Sequence, residues 1–92
     1  MLNALEIGTV LPIHRHTTTS ETQLLLRGRI DVMFYDNLGR ETERFHLDPR
    51  NGKYGVNIPI GQWHNLEVLE PAVIFEAKDG PYKPIEPEDV LY

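Results

Sequence analysis

Ninety-two residues, 40% of them hydrophobic and 25% charged, suit a single small globular domain over 1–92 and leave no room for a second. Nine Lys and Arg against fourteen Asp and Glu give a net charge of −5 with no basic run, which argues against nucleic acid and anionic membranes as partners. Cysteine is absent and no apolar run nears the roughly 18–20 residues that span a bilayer, so disulfides, thiolate chemistry and membrane insertion are excluded and a reducing cytoplasm is the expected location.

In chain order, the residues alternate between β-formers and turn formers at short intervals. Met1-Leu2-Asn3-Ala4-Leu5-Glu6 has no basic stretch before its apolar residues, so it reads as the approach to a strand and not as a signal peptide. About eight short strands are expected, at 2–7, 9–16, 21–27, 29–36, 40–47, 54–59, 63–69 and 72–79. Turns at Arg27-Gly28, Asp36-Asn37-Leu38-Gly39, Asp48-Pro49-Arg50-Asn51-Gly52, Ile60-Gly61, Glu70-Pro71 and Asp79-Gly80-Pro81 separate most of them. Residues 86–92 could form one terminal helical turn. Many short strands between Gly and Pro turns predict an all-β sandwich or barrel.

His14 and His16 stand two apart, so on a strand both rings face one side. Glu21 follows a Thr/Ser loop, and His64 follows the turn Pro59-Ile60-Gly61-Gln62. Three imidazoles and a carboxylate suit a divalent first-row metal, although an isolated His-x-His pair is more often an ordinary surface or core feature. Ser20, beside Glu21, lacks the glycines of a nucleophile elbow, so a serine hydrolase is disfavoured.

The spacing Gly8-x5-His14-x-His16-x4-Glu21-x6-Gly28 resembles the first motif of the cupin superfamily, and Pro59-x-Gly61-x2-His64 resembles the core of the second. Two departures stand in the second motif, where Lys53 replaces a glycine and Val68 an asparagine. The resemblance implies a small jelly-roll β-barrel whose metal ligands are His14, His16, Glu21 and His64. The metal would be one divalent ion of Fe, Mn, Zn or Ni. Leu11-Pro12-Ile13-His14-Arg15-His16, Leu26-Arg27-Gly28, Ile58-Pro59-Ile60-Gly61-Gln62-Trp63-His64 and Phe75-Glu76-Ala77-Lys78-Asp79-Gly80-Pro81-Tyr82 further resemble the WbuC-type cupin-fold metalloproteins. That resemblance implies a link to bacterial surface-polysaccharide (O-antigen) gene clusters. Members of that family usually carry a segment before the equivalent of Met1, so either a short variant or a truncated start is expected.

Strand parity nominates further residues. With Glu21 inward, Gln23 and Leu25 are inward too, and Gln23 either holds a ligand or bonds a neighbouring strand. Glu76 and Lys78 share a face; they either enter the site or, as an ordinary alternating strand favours, lie in solvent with Val73, Phe75 and Ala77 inside. Trp63 could stack on a substrate at the mouth or serve as a rim or core aromatic, and Tyr82 could fold back over the mouth. Arg15, Arg27 and His46 are expected at the surface. Leu24, Leu26, Met33 and Tyr35 are expected to form an outward apolar patch, covered in a homodimer.

A small-molecule ligand, carbohydrate-derived or carboxylic, suits a barrel mouth. The residues leave open an enzyme, as a metal-dependent isomerase or dioxygenase, and a metal-anchored sensor or accessory protein without turnover. A metal-free, sugar-epimerase-like cupin ranks behind both.

Overall fold

The computed structural model describes residues 1–9, 11–80 and 84–91. Five strands make one antiparallel sheet: β1 (Leu2–Leu5), β2 (Glu21–Tyr35), β3 (Glu41–Leu47), β4 (Gly55–Ile58) and β5 (Trp63–Lys78). The order is β1-β5-β2-β3, and β4 also pairs with β2. Thus β5 runs along one side of β2, while β4 and β3 share the other. The fold is the expected all-β, cupin-like jelly roll, with the sheet not closed among the described residues.

Two pairs of expected strands are fused. Arg27-Gly28 and Glu70-Pro71 bend β2 and β5 without ending them. Register shifts cluster between Leu25 and Ile30, and the inward positions change there from odd (Glu21, Gln23, Leu25) to even (Ile30, Val32, Phe34). An extra residue on one strand does this, because it reverses the alternation beyond it. Gly28 occupies the bend at φ +92°, where a Cβ would collide with the Pro71 carbonyl. Pro71 has no N–H to pair, so the ladder loses little there. Gly28→Ala is expected to cost about 3 kcal/mol, combining backbone strain with that collision, and to lower the urea midpoint accordingly. An unchanged midpoint would contradict the role assigned to this bend.

Among the described residues of the expected strand 9–16 there is no strand, but His14 makes isolated β-bridges to His64 and to Val90. Residues 86–92 supply a single 3-10 turn, Pro87–Asp89.

Both halves of the bent sheet share one core. Leu25, Ile30, Val32 and Phe34 of β2 pack with Leu66, Val68, Ala72 and Ile74 of β5, closed by Leu47 and Ile58. Val68, where the second motif departs from asparagine, is simply a core residue. The expected outward patch is half missing. Met33 is buried, and the half-buried Tyr35 hydroxyl donates to Asn65 Oδ1 at 2.8 Å; only Leu24 and Leu26 are exposed. No helix among the described residues is long and apolar enough to cross a membrane.

Candidate metal centre

His14 and His16, two residues apart, converge with the distant His64 through backbone pairing. His14 N–H donates to the His64 carbonyl at 3.1 Å, and His64 N–H donates to the His14 carbonyl at 2.9 Å. This reciprocal pair sets the two side chains next to each other on one face. His16 lies on the same face of the extended segment, and its carbonyl accepts the Gly61 N–H at 2.8 Å, so the Pro59–Gly61 turn is tied to it. The ring centroids of His14 and His64 are 4.3 Å apart, and those of His14 and His16 are 5.2 Å apart. One ring nitrogen from each of His14, His16 and His64 lies within 4.8 Å of the others.

The ring orientations suit coordination. His14 Nδ1 sits 2.9 Å from the Pro12 carbonyl, and His64 Nδ1 sits 2.9 Å from the Gln62 carbonyl. A carbonyl only accepts, so in the neutral rings each Nδ1 carries the proton and each Nε2 is bare. Such a carbonyl partner commonly orients a metal-ligating imidazole. His64 Nε2 is buried with no protein partner among the described residues. A buried acceptor left so costs free energy, and a cation would satisfy it.

Glu21, on β2, lies beside the three histidines and contacts them through His16. Its Oε2 lies 3.1 Å from His16 Nε2, and its Oε1 accepts from Gln23 Nε2 at 2.7 Å. Gln23 Oε1 is likewise buried with no protein partner among the described residues. Burial pushes the Glu21 carboxyl up, but hydrogen bonds from His16 and Gln23 and the nearby imidazoles outweigh it and hold it at about 2. Burial, helped by His14, holds His64 at about 4, and burial also lowers His14. Glu21 is therefore ionised, and His14 and His64 are neutral, at pH 7. A carboxylate with neutral imidazoles fits a divalent cation.

A cavity of about 280 Å³ opens over the cluster. Leu11, Pro12, Leu66 and Ile85 form its apolar wall, and Gln23, Asn65, Glu76 and Lys78 line the rest beside His14, His16, Glu21 and His64. Lys78 pairs with Glu21, and Glu76 with Gln23, across the β2–β5 ladder. The inward parity of β5 is therefore Ala72, Ile74, Glu76, Lys78. The alternating reading with Val73, Phe75 and Ala77 inside fails, because the apolar Phe75 and Ala77 lie at the surface. Burial, with the negative charge of Glu21, raises the Glu76 carboxyl.

Other expected residues stand elsewhere. Trp63 is adjacent to His64 and so on the opposite face; it is buried, and its Nε1 donates to Asn37 Oδ1 at 3.0 Å. It is a packed aromatic, not a stacking platform at the mouth. Tyr82 lies outside the described residues. Arg15 is not a free surface charge: its guanidinium sits 4.4 Å from the Trp63 ring centre, and its Nε donates to Asp89 Oδ1 at 3.0 Å. Arg27 is exposed as expected. His46 is exposed but its Nδ1 lies 2.7 Å from buried Asp31. Ser20 Oγ donates to Asp79 Oδ2 at 3.1 Å.

Sequence spacing missed the tail. Leu91 N–H donates to the Ile13 carbonyl at 2.7 Å and Arg15 N–H to the Asp89 carbonyl at 3.0 Å, which straps residues 89–91 beside the histidine segment and brings Ile85 to the cavity. No motif links those residues to the site.

A family model described as "Domain of unknown function (DUF6016)" matches residues 1–47. No curated protein matches. Among solved structures, the chain is similar to the capsular polysaccharide assembling protein CapF from Staphylococcus aureus. One CapF crystal structure gives TM-score 0.76 at 24% identity, covering 90% of this chain and 23% of that one. A second, in space group C2221, gives 0.78 at 24% identity, covering 99% and 26%. A third, with the inhibitor 3-isopropenyl-tropolone, gives 0.75 at 24% identity, covering 90% and 24%. The likeness is one of fold, and the chain spans about a quarter of the length of each CapF chain.

Proposed function

The chain belongs to this domain family of unknown function, and from its site we propose a metal-binding cupin that binds and acts on a small, carbohydrate-derived molecule in bacterial surface-polysaccharide synthesis. The observation that carries the metal is His64 Nε2, buried, bare and without a protein partner among the described residues, within reach of His14 and His16. The pathway is supported by the fold likeness to a capsular polysaccharide assembling protein and by the WbuC-type sequence resemblance, and that finer kinship is part of the proposal. A cytoplasmic location fits a chain without cysteine.

His14, His16, Glu21 and His64 would hold the ion. When bound, a divalent first-row ion supplies Lewis-acid polarisation of a substrate oxygen or redox chemistry, the respective needs of an isomerase and a dioxygenase. The chain's own residues do the rest. Gln23, oriented by its bond to Glu21, directs its free amide oxygen as an acceptor for a ligand hydroxyl. Glu76, its carboxyl raised, keeps a proton to higher pH than an ordinary glutamate and can lend it to a ligand oxygen. Leu11, Leu66 and Ile85 exclude water from one side.

The test is metal analysis of the purified protein beside Glu76→Gln, with a turnover screen on small hydroxylated and keto compounds. About one ion per chain is expected in both proteins, with turnover in the variant reduced about a hundredfold. Absence of an ion under metal-replete conditions would refute the metal reading. Loss of the ion in Glu76→Gln would make Glu76 a ligand instead. A ligand bound tightly and never converted would identify a sensor.

A further inference from the structure

The histidine segment is held from two sides. In an extended chain, neighbouring residues turn their backbone groups to opposite sides. His14 bonds reciprocally with His64 of β5. Ile13 and Arg15, on either side of it, bond instead to the C-terminal tail, through the Leu91 N–H and the Asp89 carbonyl. His14 therefore sits between β5 and Val90, with a β-bridge to each. The segment has no strand of its own among the described residues, so its path depends on these bonds and on that from the Gly61 N–H to the His16 carbonyl.

The tail is shaped to make its share of them. Pro87 opens a 3-10 turn whose last residue is Asp89, and the Asp89 N–H donates to the Glu86 carbonyl at 2.9 Å. Of the three acidic residues here, Glu86 and Glu88 are exposed and Asp89 is buried. Asp89 Oδ1 accepts from Arg15 Nε at 3.0 Å, and the same guanidinium lies over the Trp63 ring. A buried carboxylate left without its cation is costly, so this pair holds tail and segment in one arrangement. The apolar residues Ile85 and Val90 stay exposed, so apolar burial adds little to the attachment and the ion pair matters more. Ile85 also lines both the cavity over the histidines and a smaller one beneath the tail, and the two cavities share His16 and Lys78.

We infer that residues 84–91 are a clamp on the metal centre, with Arg15 and Asp89 as its latch. The clamp fixes the His14–His16 segment against β5 and holds Ile85 over the cavity. Retention of the ion then depends on a carboxylate that does not bind it. Asp89 is a positioning residue, acting on His14 and His16 through Arg15 and the backbone bonds. The inference rests on the metal reading above.

Two readouts test it. The first is release of Zn²⁺ from the loaded full chain to a chromogenic chelator. Asp89→Ala is expected to speed release roughly tenfold or more, as loss of a group that orients metal ligands does. The double variant Asp89→Ala/Arg15→Ala is expected to release no faster than Asp89→Ala alone, because the two residues act as one latch. Glu88→Gln, an exposed position on the same turn, is expected to match the unaltered chain. The second readout needs no metal. Trp63 is the single tryptophan, so its emission is expected to change in Asp89→Ala as Arg15 leaves the ring. Thermal melts identify a variant that fails to fold, and Asp89→Asn, which keeps the volume and removes the charge, then decides. A lowered melting temperature with unchanged Zn²⁺ release would make the tail merely structural and overturn the inference while the metal reading stands. Unchanged Trp63 emission would overturn the latch. An unaltered chain that takes up no Zn²⁺ would overturn the metal reading, and the clamp with it.

Discussion

His16→Ala is expected to weaken binding of a divalent first-row ion by at least about a hundredfold while the chain stays folded. The ring nitrogen of His16 is one of three within 4.8 Å of one another, and it also contacts the Glu21 carboxylate, so its loss removes a donor and releases another. The core lies on β2 and β5 beyond the site, and His16 contributes none of it. His46→Ala is the matched control, because that ring rests on Asp31 on the outer side of the sheet. Titration calorimetry against a competing chelator reads the affinities, and a thermal melt reads the fold. Equal losses in the two variants would mean that the wrong histidines have been assigned. Global unfolding of His16→Ala would mark the ion as structural instead.

Acidification from pH 7 to about 4.5 is expected to destabilise the metal-free protein on the order of 2–3 kcal/mol, or roughly 10–20 °C in Tm. His64 dominates the effect. Its ordinary value is 6.5, and burial holds it at about 4 in the folded chain. The unfolded chain therefore takes up a proton that the folded chain refuses. The stability from His64 is complete above about 6.5 and is lost as pH falls through about 4. His14 acts in the same direction. Glu21, held at about 2, adds a loss at still lower pH, whereas the raised Glu76 opposes these groups by favouring the folded state in acid. The extra stability conferred by added metal should shrink over the same interval, since protons compete for the same nitrogens. Urea midpoints at the two pH values, with and without metal, measure both effects. A metal-free protein equally stable at both would show that His64 is not buried in its neutral form.

The resemblance of the spacing to the cupin motifs pointed to the histidine cluster, because the ligand set that it implies imposes fixed local geometry. His14 and His16 must share a strand face, and His64 must follow a tight turn, whatever surrounds them. The all-β class was equally legible in the alternation of β-formers with Gly and Pro. The same turn signals misled at Gly28 and Pro71. A glycine and a proline end a strand when nothing pairs across them, but here the two face each other and bend a continuous pair. That contact joins residues over forty positions apart, and no local pattern records it.

Residue types thus determined by themselves the strand-rich class and the exclusion of thiol chemistry, and their spacing nominated three imidazoles that the His14–His64 pairing brings together. Tertiary structure alone decided which face of each strand turned inward. The inward positions of β2 change from odd to even near Gly28, so Leu24, Leu26 and Met33 all stand on the outer side, yet Met33 is buried there while Leu24 and Leu26 are exposed. Pairing of β5 with β2 turned Glu76 and Lys78 into the cavity against the simpler alternation. Parity depends on counting from a known anchor, and a bulge or a cross-strand partner resets that count without altering local composition.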